Sequence, residues 1–113
     1  MSADETIEFE VGGGNVFEDI GFDAGTAKEL SHKAELVGLI YRFQKERALT
    51  QSELSRLVDI PQPRLSQLFK GKIADISTDK LLHAIASLGA HITIRVEHHP
   101  APEAAGRVEL EFA

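Results

Sequence analysis

The sequence predicts a mainly α domain of four or five helices with a small C-terminal β-hairpin, and it leaves open a short strand near the N-terminus. Apolar residues recur at helical spacing between capping and stop signals over residues 26–89, and towards both ends the spacing changes to strict alternation. The 113 residues contain no cysteine, 42% are hydrophobic and 27% are charged. This composition indicates one globular domain with a modest core.

The N-terminal segment, residues 1–22, is acidic. Residues 6–11, TIEFEV, alternate apolar and polar side chains as a half-buried strand does. The GGGN that follows is predicted to be a turn, because no Gly-Lys-Ser/Thr follows to complete a phosphate-binding loop.

The helical region is predicted to span residues 23–89. Thr26 and Glu29 have the spacing of a capping box, and apolar residues at helical spacing follow as far as Arg47. This pattern predicts either one long helix or two helices joined near Ser31–His32.

Two short helices are predicted next. Thr50 and Glu53 form a second capping-box signal before the first of them. Pro61 and Pro63 can lie only at the start of a new helix, since a later proline would remove a hydrogen bond and clash with the preceding turn. That second helix is predicted to end at Gly71.

The last helix and the hairpin complete the chain. Ser77 is placed to cap a helix that Gly89 ends. In residues 90–113, two alternating stretches flank the loop HPAPEAAG and predict a β-hairpin. Its apolar face either forms a dimer contact or covers the helices of its own monomer; it comprises Ile92, Ile94, Val96, Val108, Leu110 and Phe112.

The net charge of −6 conceals a basic centre. Residues 1–27 hold seven acidic side chains and no Lys or Arg, residues 28–72 hold nine basic against five acidic, and residues 73–113 hold three basic against six acidic. Charge effects are screened beyond roughly 8 Å at physiological salt. The centre can therefore meet a polyanion although the chain is acidic.

The two short helices have the pattern of a helix-turn-helix, in which a first helix braces a second that enters the major groove. The residues expected to point inward are Leu54, Leu57, Ile60, Leu65 and Leu68, and those expected to point outward are Gln62, Arg64, Ser66, Gln67 and Lys70. Gln can pair bidentately with adenine and Arg with guanine. Gln51, Lys70 and Lys72 are better placed to reach phosphates.

The stretch TQSELSRLVDIPQPRLSQLFKGK resembles the XRE/Cro-type helix-turn-helix regulators, with a lambda-repressor-like fold over roughly residues 33–89. The resemblance implies phosphate contacts from Gln51, Lys70 and Lys72, and base contacts from Gln62, Pro63 and Gln67. With the outward-facing Arg64 and Ser66, the candidate base contacts are Gln62, Pro63, Arg64, Ser66 and Gln67. Pro63 stands where the family often has a polar residue, and can offer only an apolar contact.

The flanking stretches GNVFEDIGF and FKGKIADISTDKLLHAIASLGAHITIRV resemble a narrower subgroup, the HigA-like antitoxins of type II toxin-antitoxin systems. This implies a bacterial homodimer that binds a palindromic operator, represses its own operon and neutralises a basic RelE-type or HigB-type toxin. Candidate toxin contacts in the acidic segment are Phe9, Val16, Phe17 and Ile20. The other interpretation is that the acidic ends only confer solubility and that Phe17 and Ile20 only pack on the core of their own chain.

Other classes of function have less support. A stand-alone phage-type regulator would share the DNA site but need no toxin. His98 and His99 are adjacent, so they would point to opposite faces of a strand, and the other histidines lack ligand spacing, so neither a metal site, a cofactor nor an enzyme is expected. The chain shows no signal peptide and no apolar run of the ~20 residues that cross a membrane, which favours a cytoplasmic protein, nucleoid-associated when bound to DNA.

Overall fold

The computed structural model of the protein describes residue 21 and residues 23–98 and 106–112. These residues form four helices: α1 (Ala24–Glu46), α2 (Gln51–Val58), α3 (Gln62–Phe69) and α4 (Thr78–Ser87). The mainly α fold is confirmed. The candidate strand at residues 6–11 and the candidate toxin contacts Phe9, Val16, Phe17 and Ile20 lie outside the described residues.

All four helices contribute to a single apolar core. The largest fully buried side chains are Val37, Ile40, Leu54, Leu65, Leu68, Leu81, Ile85 and Leu88. Together with the buried Val58 of α2, they recur within each helix at intervals of three or four residues, so each helix turns one apolar face inward. Helix α1, the longest at 23 residues, packs on both α3 and α4.

Helix α1 begins earlier than the sequence predicts. Its N-cap is Asp23, whose carboxylate accepts hydrogen bonds from the Thr26 backbone N–H at 2.9 Å and the Thr26 hydroxyl at 3.1 Å. The predicted Thr26–Glu29 capping box is therefore wrong, because Thr26 lies in the first turn and donates to Asp23; Glu29 instead pairs with Lys33 at 3.4 Å. The helix continues unbroken through Ser31–His32, which settles the choice in favour of one long helix.

Helix α2 has the predicted N-terminal cap. Glu53 Oε1 accepts the Thr50 backbone N–H at 2.8 Å, and Thr50 Oγ1 accepts the Glu53 backbone N–H at 3.0 Å, which confirms the box. The inward orientation predicted for Leu57 is wrong, since its side chain is 46% exposed. Val58 is buried in its place, because residues 54 and 58 are one i, i+4 step apart and share the face that meets the core.

The C-terminal hairpin prediction is wrong for the described residues, since neither residues 91–98 nor residues 106–112 contain a strand. Of the predicted apolar face, only Leu110 packs against the core. The others are exposed: Ile92, Ile94, Val96, Val108 and Phe112. An isolated two-stranded hairpin is marginally stable in water, and here no described element covers the five exposed residues of the predicted apolar face. Alternation along the sequence alone could not reveal this.

No helix in the described part of the chain is both long and apolar enough to cross a membrane.

Candidate DNA-binding surface

The turn between α2 and α3 is held by hydrogen bonds from two sides. Asp59 adopts a left-handed conformation with φ 58°, and the buried Ile60 follows it. The Ser55 hydroxyl donates to the Ile60 carbonyl at 2.6 Å, and Lys80 Nζ of α4 donates to the Asp59 carbonyl at 3.0 Å. These bonds, with Ile60 in the core, set the angle at which α3 leaves α2.

The rotation of α3 about its axis is determined by two leucines. Leu65 and Leu68 are fully buried, so the opposite face of the helix is turned to solvent. Gln62 and Gln67 are both exposed on this helix. Five residues of α-helix separate them by about 7.5 Å along the axis and about 140° around it. Both amides can therefore reach outward from adjacent turns of one helix.

The remaining candidate base contacts differ in exposure. Pro63 is exposed in the first turn of α3, where its lack of an N–H costs no helical hydrogen bond. Ser66 is half-buried. Pro61 occupies the N-cap position and makes no side-chain capping bond, so α3 begins through its backbone: Pro61 O accepts the N–H groups of Arg64 and Leu65, both at 2.9 Å.

The C-terminal end of α3 presents the candidate phosphate contacts. Gly71, with φ 98°, donates to the Leu68 carbonyl at 3.0 Å, and the Lys72 N–H donates to the Gln67 carbonyl at 3.0 Å. This is the Schellman arrangement, for which glycine is suited because the left-handed conformation crowds a Cβ. It leaves Lys70 and Lys72 exposed directly after the helix. Gln51 lies in the first turn of α2 and is half-buried.

The loop that follows, residues 70–76, is anchored from α1. Ile73 and Ile76 are buried in the core. Lys33, only 5% exposed, donates from Nζ to the Ala74 carbonyl at 3.0 Å. The exposed cations Lys70 and Lys72 therefore belong to a loop with fixed points on the domain, which reduces the entropy lost when they bind a ligand.

Arg64 is held within the protein, although it lies on the predicted outward face. Its guanidinium forms a close ion pair with Asp75, and Nη1 donates to the Lys72 carbonyl at 3.1 Å and to Gln67 Oε1 at 3.4 Å. The Arg64 side chain is 24% exposed, against 82% for Asp75. Sequence reasoning missed Asp75 because eleven positions separate it from Arg64, beyond any helical spacing.

A further cation lies beside the end of α3. Phe69 packs edge-on against Tyr41 of α1 with ring centroids 5.2 Å apart, and Lys45 Nζ lies 5.3 Å from the Tyr41 ring centroid. Sequence reasoning did not single out Lys45. The available signal was the i, i+4 spacing of Tyr41 and Lys45 on one face of a helix.

The surface around α3 offers amides and ammonium groups and no arrangement for binding a metal. In the described ranges, no three histidine or acidic side chains are grouped so that they could hold a metal ion. Exposed amides suit the hydrogen-bonding edges of bases, and exposed lysines suit phosphates.

Comparison with known protein families gives a match over most of the chain. The family described as "Helix-turn-helix domain" matches residues 16–97, which include all four helices. No curated protein and no solved structure matches the chain.

Proposed function

The chain belongs to this helix-turn-helix domain family, and on that premise we propose that it is a sequence-specific transcriptional repressor that reads its operator with α3. Its family is one of DNA-binding domains rather than enzymes. The finer proposal rests on one observation: α3 exposes Gln62 and Gln67 while buried leucines set its rotation.

The contacts divide into two kinds. Gln62 and Gln67 are the proposed base readers, with Pro63 and Ser66 beside them on the helix. Gln51, Lys70 and Lys72 are the proposed phosphate contacts, which position α3 without reading sequence.

A comparison of two pairs of variants tests this division. Gln62→Ala and Gln67→Ala should each reduce discrimination at one base position per half-site by about 1–3 kcal/mol. Lys70→Ala and Lys72→Ala should weaken binding to every sequence and reduce the slope of log K against log salt by about 0.9 per lost phosphate contact. Fluorescence anisotropy with operator and scrambled duplexes at several salt concentrations measures both effects.

Arg107→Ala is the matched control for the lysine variants, because it removes one positive charge outside residues 16–97. Unchanged operator affinity in all four variants would contradict the proposed readers and phosphate contacts.

We further propose that the regulator is the antitoxin of a type II toxin-antitoxin pair. The support comes from charge: residues 1–27 carry seven acidic groups and no Lys or Arg, and they precede a basic centre. A toxin of the RelE or HigB type attacks RNA and is expected to be basic, so the acidic segment is complementary to it. Candidate apolar anchors in that segment are Phe9, Val16, Phe17 and Ile20.

Co-purification with the product of the adjacent gene tests the antitoxin proposal. The full-length chain should co-elute with that product, and a chain lacking residues 1–22 should not. Co-elution of neither form would favour the alternative, a stand-alone phage-type regulator that needs no toxin.

We propose that the regulator binds a palindromic operator as a homodimer. The support is the exposed apolar set in the C-terminal segment, where Ile94 is 76% and Val96 is 86% exposed. Apolar surface left in water favours association. A dimer would place two α3 helices in successive major grooves about 34–36 Å apart.

A further inference from the structure

Arg64 and Gln67 lie three residues apart on α3, and their contact restricts how Gln67 can present its amide. A guanidinium group has only donors, so the atom that Gln67 turns toward Arg64 Nη1 must be its oxygen. The distance of 3.4 Å from Nη1 to Oε1 agrees with this orientation. The Gln67 NH₂ group is therefore directed away from Arg64, and the residue is exposed.

From this contact we propose that Arg64 is a positioning residue that makes Gln67 select guanine over adenine; the inference rests on the proposed function. In the major groove guanine presents two acceptors, N7 and O6, whereas adenine presents the acceptor N7 and the donor N6–H₂. An amide that offers its two N–H groups matches guanine. Bidentate pairing with adenine requires the amide oxygen as well, and Arg64 Nη1 competes for that oxygen and turns it toward itself.

The surroundings of Arg64 keep it in this role rather than at a base edge. Both terminal nitrogens of the guanidinium are engaged, Nη2 with Asp75 and Nη1 with the Lys72 carbonyl and Gln67. Direct reading of guanine by Arg64 would require breaking the ion pair and freeing the Lys72 carbonyl. Asp75 and the Lys72 carbonyl lie on the loop of residues 70–76, which Lys33 anchors from α1 through Ala74.

Asp75 also determines how much Arg64 contributes to the electrostatic field at the surface around α3. The carboxylate neutralises the guanidinium, so Arg64 adds little attraction for phosphate, whereas Lys70 and Lys72 form no ion pair with any residue that the structure describes. Arg64 thus acts through Gln67, and its loss should change base preference more than salt dependence.

Selection of binding sites from a random duplex pool tests the assignment, with the full-length protein and three variants. The base position read by Gln67 is first identified as the one whose preference Gln67→Ala loses. At that position the wild-type protein should prefer guanine over adenine by about 5- to 150-fold, the range that one good bidentate contact supplies. Arg64→Met keeps most of the side-chain stem and frees the amide, so preference at the same position should shift toward adenine.

Two further variants separate the effect of the Gln67 amide orientation from the effect of net charge. Arg64→Met with Asp75→Asn preserves the net charge, and it should show the same shift toward adenine while recovering general affinity lost by Arg64→Met alone. Arg107→Met removes one positive charge outside residues 16–97 and should leave the preference unchanged. Partial unfolding cannot produce the shift, because it lowers the active concentration without changing base preference; thermal melting monitors folding in parallel.

Three results would overturn the assignment. The wild-type protein could prefer adenine at the Gln67 position, or Arg64→Met could leave that position unchanged. Arg64→Met could also lose a guanine at a different position, which would make Arg64 a direct reader. Failure to select any sequence would contradict the proposed function itself, and so is distinguishable from all three.

Discussion

Two carboxylates at helix N-termini make the stability of the fold dependent on pH at the scale of single residues. Hydrogen bonds from Thr50 lower the pKa of Glu53, with the larger effect from the backbone N–H and the smaller from the side chain. In the same way, hydrogen bonds from the backbone and side chain of Thr26 lower the pKa of Asp23. A lowered pKa means that the folded state binds the proton less readily than the unfolded state. The stabilisation is present at neutral pH and is lost as the pH falls through the folded-state pKa.

Glu53→Gln isolates one of these groups, because glutamine can still accept the Thr50 N–H in a capping box but does not titrate. We expect the melting temperature of the variant to fall less than that of the wild-type protein as the pH drops from the ordinary glutamate pKa of ~4.3 through the lower folded-state pKa of Glu53. Thermal melting followed by circular dichroism measures the melting temperature of both proteins at each pH. Parallel falls in both proteins would show that the Glu53 bond does not contribute.

Individual residues of the site were predictable to different degrees from the sequence. Gln62 and Gln67 are exposed as the helical period requires, because their positions follow from where Leu65 and Leu68 are buried. Lys70 and Lys72 are exposed at the predicted helix end marked by Gly71. The partners of Arg64 were not predictable. Helical periodicity describes directions around one axis, and it contains no information on a loop that folds back over the helix.

At the scale of elements, helix α1 supports the proposed DNA-binding surface through a single buried ammonium group. Lys33 is 5% exposed and donates to the Ala74 carbonyl at 3.0 Å, while Glu29 lies 3.4 Å from the same nitrogen. A buried charge needs such partners, since removal from water without them is costly. The α1–loop contact links the longest helix to the segment that bears Lys72.

Lys33→Met tests this link. The variant retains an unbranched side chain of similar length but loses the charged hydrogen bond to the Ala74 carbonyl, so we expect the free energy of unfolding to fall by about 1–3 kcal/mol. Lys28→Met makes the same chemical change at an exposed position of α1 and should stay within about 0.5 kcal/mol of the wild type. Urea denaturation measures both. Equal stabilities of the two variants would contradict the role of Lys33.

The ends of helices were predicted correctly where no neighbouring side chain competes for the capping hydrogen bonds. Thr50, Ser77, Gly71 and Gly89 cap or end helices as expected. The start of α1 was wrong because Asp23, three positions before Thr26, accepts both Thr26 donors. The hairpin prediction was wrong because alternating apolar residues indicate only a tendency to form a strand. A stable hairpin also needs another surface that covers its apolar face.

At the scale of the whole molecule, the exposed apolar residues of the C-terminal segment bear on assembly. If Ile94 and Val96 form the dimer contact, the double variant Ile94→Asp/Val96→Asp should dissociate the protein into monomers at concentrations where the wild type is dimeric, because like charges would face each other in the contact. Analytical ultracentrifugation measures the change. A variant that stays dimeric, or a wild type that is monomeric at every concentration, would exclude this segment as the dimer contact.

The charge of the whole chain is compatible with DNA binding because it is unevenly distributed. The net charge is −6, yet residues 28–72 hold nine basic against five acidic groups, and Lys45, Lys70 and Lys72 are exposed there. Screening limits the reach of the acidic ends. Non-specific affinity should therefore be modest, and recognition should depend on base contacts more than on total charge.

The most direct test of sequence-specific binding through α3 is the ratio of two affinities. The first is for the duplex that the full-length protein selects from a random pool, and the second is for a scrambled duplex of the same length and composition at the same salt concentration. We predict a selected site with two related half-sites, bound at least about 10³-fold more tightly than the scrambled duplex. A pool that yields no enriched sequence, or equal affinities for the two duplexes, would contradict the account.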